Sequence, residues 1–84
     1  MDLNERTKLR TFMDDLLRER DDTAGFADSE SIFATGRLES LAAVQLVVFL
    51  EQEFGVDFSN LDFEIDRIDS IDLIATLCDE VRDE

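Results

Sequence analysis

From Leu41 to Leu50 the chain is apolar at every position except Gln45. Such a run is too short and too flanked by charge to cross a bilayer, so no membrane insertion is expected and it must be covered by protein. At helical spacing it carries two stripes. Leu41, Val44 and Val48 form one, and Leu46, Phe49, Leu50 and Phe54 form the other. A small domain can cover one stripe with its core. The other then remains as an exposed apolar strip, a signature of an interaction surface. Gly55 suits the left-handed position that ends a helix. Glu51 and Glu53 place negative charge at the negative end of the macrodipole, which points to a role in binding and not in helix stability.

The remaining pattern is also helical. The chain has 84 residues, three glycines and no proline, and 44% of it is hydrophobic, which predicts a single all-α domain over 1–84. Leu9, Phe12, Met13, Leu16 and Leu17 recur at i, i+3, i+4, i+7 and i+8, predicting a first helix from about Asn4 to Arg20. Asn4 is its expected N-cap, with Glu5 in the first turn. Asp21 and Asp22 oppose the macrodipole, so fraying is expected there. Ser70 reads as the cap of a last helix, with Asp72 in its first turn and a stripe of Ile71, Ile74, Leu77, Cys78 and Val81. Between them Leu61, Phe63 and Ile65 alternate with Asp62, Glu64 and Asp66, which is strand periodicity. A lone strand would have no pairing partner, so a short, irregular third helix through about Ile68 is expected. The prediction is a small four-helix bundle: three main helices, one short helix, and a long loop from Asp21 to Arg37 pinned by Phe26, Ile32 and Phe33.

Charge narrows the function. Eight basic residues against 22 acidic ones give a net charge of −14. Nucleic acid is thereby excluded as a partner, since phosphate contacts need clustered Lys and Arg. The complement of such a surface is a partner with a basic docking face. Crowded carboxylates are expected to have raised pKa values, so that mild acidification would stabilise the fold. Asp62, Glu64 and Asp66 have the spacing of a calcium loop, but Arg67 stands where glycine is required and Leu73 where a bidentate glutamate is required. No metal site is assigned. Cys78 is the only cysteine and there is no histidine, so neither an intramolecular disulfide nor a cysteine–histidine nucleophile–base pair can be built. No catalytic residue is assigned. The acidic, mixed start lacks a secretory pattern, and the chain reads as cytosolic.

Ser40 stands where the apolar helix begins. Its hydroxyl admits two uses: an ordinary N-cap, or attachment of a phosphate at the positive end of the macrodipole. The surrounding Ser-Ile-Phe-Ala-Thr-Gly-Arg-Leu-Glu-Ser-Leu-Ala-Ala-Val-Gln-Leu, from Ser31 to Leu46, resembles the prosthetic-group site of acyl carrier and peptidyl carrier proteins. Glu-Gln-Glu-Phe-Gly-Val-Asp, Glu51 to Asp57, extends the likeness, which covers Phe26 to Leu77. Glu39 departs from the aspartate usual before the serine. Gln45 after Val44, Phe-Gly-Val-Asp, Phe63 and Arg67 are similar to stand-alone D-alanyl or other aminoacyl carriers.

The resemblance implies a non-enzymatic carrier with Ser40 bearing 4′-phosphopantetheine, installed from coenzyme A by a phosphopantetheinyl transferase. An acyl or aminoacyl group would ride on the arm as a thioester. Implied docking residues are Glu39, Leu41, Val44, Val48 and Glu51. Implied partners are the transferase, an acyl- or aminoacyl-activating ligase, and acyltransferase or synthase enzymes with basic docking surfaces. A monomer is expected. The alternative is an acidic helical adaptor that binds a partner through the apolar strip, with Ser40 unmodified.

Overall fold

A computed structural model describes residues 1–58 and 65–82. Three helices carry the fold: α1 (Leu3–Arg18), α2 (Ser40–Phe54) and α3 (Ile71–Arg82), with a 3-10 turn at Ile65–Ile68 before α3. Among the described residues there is no strand. The expected fourth helix is represented there by this single turn. The expectation for Leu61 and Phe63 lies outside the described residues.

α1 starts at Leu3, and its N-cap is Asp2, two residues before the expected Asn4. Asp2 accepts the Glu5 N–H at 2.8 Å, and the Glu5 carboxylate accepts the Asp2 N–H at 3.2 Å. This reciprocal capping box satisfies two orphan donors at once, which Asn4 inside the first turn could not do. Leu9, Met13, Leu16 and Leu17 are buried, as their spacing requires. At the far end α1 stops at Arg18, two residues short of the expected Arg20, and the chain is closed there by hydrogen bonds where fraying was expected. Asp21 adopts a left-handed conformation (φ 61°), its N–H donates to Arg18 O, and the Asp22 N–H reaches back to Leu17 O, both at 2.9 Å. This closing pair satisfies the last carbonyls, and aspartate is among the few non-glycine residues that tolerate the left-handed region.

α2 separates its two stripes as expected. Leu46, Leu50 and Phe54 are buried together with Ala42 and Ala43, whereas Leu41, Val44 and Val48 are 72%, 60% and 44% exposed. Phe49 stacks on Phe12 of α1 at a centroid distance of 4.1 Å and meets Phe54 edge-on at 5.6 Å. Gly55 ends the helix in the left-handed region (φ 64°). The sequence of α2 supplies no basic residue for its last turn, but α3 does. Arg82 donates to the Phe54 carbonyl at 2.9 Å and binds both Glu5 carboxylate oxygens. It thereby ties the start of α1 to the end of α2.

At α3, the Ser70 hydroxyl accepts the Leu73 N–H at 3.1 Å, confirming the predicted cap. Ile71, Ile74, Ala75, Leu77 and Cys78 are buried. Burial pushes the Cys78 thiol up to about 11, the behaviour of a core residue.

The connection between α1 and α2 is fixed from several directions. Ile32 is fully buried, and Phe26 and Phe33 pack against the core, as expected; Leu38 is buried as well. Asp69, immediately before the α3 cap, accepts the N–H groups of Ile32, Phe33 and Ala34 at 3.2, 2.6 and 3.0 Å and the Ser31 hydroxyl. Its backbone carbonyl also accepts the Ile32 N–H at 2.8 Å. Arg37 binds Asp22 through two nitrogens at 2.9 Å and also pairs with Glu30.

Carboxylates in these clusters behave opposite to the expectation from net charge. Glu5 is pulled down to about 2, chiefly by its hydrogen bond to Arg82. Asp22 is lowered mainly by Arg37. For Asp69, burial acts to raise the pKa, but the Ser31 hydroxyl and the three backbone N–H groups outweigh it, and the net shift is downward. Specific partners prevail over diffuse repulsion because they act at contact distance and are screened least.

Candidate functional site

The path to α2 turns at Gly36, whose positive φ (80°) accompanies a hydrogen bond from its N–H to Phe33 O at 3.0 Å. Leu38 then anchors the chain in the core, and Ala42 anchors it again one helical turn later. Between these two fixed points Glu39, Ser40 and Leu41 all face outward. Burial on either side therefore selects these three residues for presentation.

Ser40 is not the N-cap. That position belongs to Glu39, which has extended backbone (φ −109°, ψ 175°) and makes no side-chain capping bond. The reason is register: Ser40 already has helical geometry, so its side chain no longer reaches forward to the free N–H groups of the next turn. The Glu39 carbonyl accepts the Ala42 and Ala43 N–H groups at 2.9 and 3.3 Å. Ser40 and Leu41 are left with N–H groups that have no intrahelical partner. The Ser40 hydroxyl is exposed and engaged with no other described residue. It sits on the positive end of a 15-residue helix, which favours an attached anion.

Of the other described serines, Ser29 is also exposed and unbonded but lies in the loop and not at a helix start, and the other two are engaged. Ser31 donates to Asp69, and Ser70 caps α3. Along α2 the exposed side chains of Leu41, Val44 and Val48 run away from Ser40 in one strip. Glu39 lies at its head with its side chain 81% exposed. Glu51, also expected at this surface, is only half-exposed and accepts the Phe58 N–H at 3.4 Å. The structure thus brings together Ser40, Glu39, Leu41, Val44 and Val48, and turns Glu51 toward the end of its own helix.

Two shallow grooves border the strip. One, of about 160 Å³, is lined by residues that include Arg20, Leu38, Glu39 and Leu41. The next, of about 420 Å³, lies between α1 and α2 and includes Phe12, Val44, Val48 and Phe49. Arg20 was not legible as a site residue. Its guanidinium donates to the Arg37 carbonyl at 2.6 Å and approaches the Glu39 carboxylate at 3.7 Å. Asp69 was equally hidden, because its partners lie 35 to 38 residues away and leave no local pattern.

The family model for the phosphopantetheine attachment site matches residues 7–78. The chain belongs to that family. No curated protein and no solved structure gives a significant match. Members of this family are carriers with 4′-phosphopantetheine bound covalently, and the chain is therefore a phosphopantetheine-bearing carrier. The residues present fit the group: an exposed, unbonded hydroxyl, free N–H groups beside it and a guanidinium bordering the adjoining groove. Among the described residues, no helix is long and apolar enough to cross a membrane, and no cluster of metal-ligating side chains occurs.

Proposed function

We propose that Ser40 is the attachment residue, and that this carrier presents an acyl or aminoacyl group to partner enzymes in the cytoplasm. The observation that supports this best is the exposed Ser40 hydroxyl, unbonded at the first turn of α2 and held outward between the buried Leu38 and Ala42. During modification Ser40 Oγ attacks the β-phosphorus of coenzyme A within the transferase. The phosphoanhydride bond breaks, adenosine 3′,5′-bisphosphate leaves, and the serine proton passes to a base of the transferase. Once bound, the arm supplies a terminal thiol that forms a thioester with the cargo.

The chain's own part is presentation. Leu41, Val44 and Val48 offer apolar area to a partner, and Glu39 offers a carboxylate to its basic groups. Such a role needs no general base or oxyanion hole in the carrier, in keeping with a non-enzymatic function. The transferase, a ligase that activates the cargo, and the acyltransferase or synthase that consumes it would dock in turn on this face. One face can serve successive partners because none need remain bound.

Intact mass after incubation with coenzyme A, Mg²⁺ and a broad-specificity transferase tests the assignment. Wild type should gain one arm and Ser40→Ala none. Because Ser40 makes no capping bond, the substitution should change stability by no more than about 0.5 kcal/mol, the range of ordinary surface changes. A folded Ser40→Ala protein that still gains the arm would place the attachment elsewhere. A wild type that gains none would favour the unmodified adaptor.

A further inference from the structure

Arg20 has an unusual place among the arginines of this chain. The other six, Arg6, Arg10, Arg18, Arg37, Arg67 and Arg82, each have a carboxylate oxygen at 3.2 Å or closer. Among the described residues the one carboxylate within 4 Å of Arg20 is that of Glu39, at 3.7 Å, beyond the range of a good hydrogen bond, and Asp22 acts on it from further away. Its position is nevertheless fixed, because a second nitrogen of the same guanidinium donates to the Arg37 carbonyl at 2.6 Å. Arg37 is itself held by Asp22 and Glu30. Arg20 lines one groove with Glu19, Leu38, Glu39 and Leu41, and Glu39 and Leu41 are the residues on either side of Ser40. Lys8, the sole lysine, borders a different groove with Phe49 and Glu53, at the far end of α2.

We infer that Arg20 is the internal counter-ion of the phosphodiester on Ser40, and that attachment moves its guanidinium from Glu39 to the phosphate. The inference rests on Ser40 being the attachment residue. A guanidinium presents a planar fork that matches phosphate oxygens, and this one already approaches Glu39, the residue immediately before Ser40. Before modification Arg20 offsets the Glu39 charge weakly. Afterwards it offsets the phosphodiester, and Glu39 becomes fully available to a partner's basic groups. Arg20 is thus a positioning residue for the root of the arm and a means by which partners distinguish the modified carrier from the unmodified one. The same contact limits the added repulsion when one more negative charge joins a chain already at −14.

The test compares unmodified and modified forms of wild type, Arg20→Gln, Arg20→Lys and Glu39→Gln at low salt, with intact mass confirming the arm on each. The readouts are the change in Tm on modification and the ³¹P chemical shift of the phosphodiester. The Tm change should be more favourable in wild type than in Arg20→Gln by roughly 2–6 °C, with Arg20→Lys between them. Glu39→Gln should show a change at least as favourable as wild type, because Arg20 then has no carboxylate to leave. The ³¹P shift should differ between wild type and Arg20→Gln, and the difference should fade in about 1 M salt, where the screening length falls to about 3 Å. Equal Tm changes and equal ³¹P shifts in wild type and Arg20→Gln would overturn the inference while leaving Ser40 as the attachment residue. Arms found on another residue would overturn both.

Discussion

Replacing Asp69 with asparagine isolates the contact that holds the connection from α1 to the site. Its Oδ1 accepts three N–H groups, from Ile32, Phe33 and Ala34, and Oδ2 accepts the Ser31 hydroxyl. An asparagine oxygen can keep the N–H contacts, and its amide can donate to Ser31, so the geometry survives and the charge does not. Hydrogen bonds to charged groups contribute about 1.5–3 kcal/mol and neutral ones about 0.5–1.5. Part of that difference is offset because a neutral amide is easier to bury. The net loss for Asp69→Asn should be about 1–2 kcal/mol. Asp69→Ala should cost about 3–5 kcal/mol, because the Phe33 and Ala34 N–H groups and the Ser31 hydroxyl lose their acceptor. The Ile32 N–H keeps the Asp69 backbone carbonyl in either variant.

Urea unfolding of wild type and Asp69→Asn from pH 7 to pH 3 reads this directly. Asp69 has a lowered pKa in the folded state, so its contribution is fully present above the unfolded value of about 3.9 and is lost as pH falls through the folded value. Other carboxylates titrate in both proteins, and their effects cancel in the comparison. The stability difference should therefore be constant from pH 7 to about 5 and shrink below about 4. Equal stabilities at pH 7, or a gap unchanged down to pH 3, would refute the reasoning.

At Glu39, transferase kcat/KM should be at or above wild type for Glu39→Asp and well below it for Glu39→Ala, because aspartate keeps the carboxylate with one fewer methylene to immobilise. Steady-state kinetics of the series would count against a recognition role if Glu39→Ala matched wild type. Val44→Asp should weaken association with a cognate enzyme by about tenfold by putting a charge into the exposed strip, and association of wild type should also weaken as salt rises. Binding titrations that show neither effect would remove this face as the docking surface. Cys78, buried with its thiol at about 11, should resist a thiol reagent at pH 8 until the chain is unfolded. Prompt labelling of the unmodified, folded protein would contradict its placement in the core.

Periodicity by itself determined the three main helices, because buried stripes at 3.6-residue spacing need no knowledge of the partner surface. It also determined that α2 carries one stripe too many, since Leu41, Val44 and Val48 lie on a different face from Leu46 and Leu50. The cap at Ser70 and the left-handed Gly55 were local signals and were readable for that reason. Where caps compete, sequence was insufficient. Asp2 displaced Asn4 because only Asp2 has Glu5 at the spacing of a reciprocal bond, and Ser40 lost the cap to a one-residue shift in register that leaves the hydrophobic pattern unchanged. The tertiary structure alone decided the ionic arrangement. Net charge suggested raised carboxylate pKa values, yet Glu5, Asp22 and Asp69 move down because folding brings each to a donor distant in the chain: Arg82, Arg37 and the backbone from Ile32 to Ala34. The same holds for Arg20 beside Glu39. Nineteen positions of sequence separate the two charges, and only the closed turn at Asp21 and the anchored loop bring them to one groove.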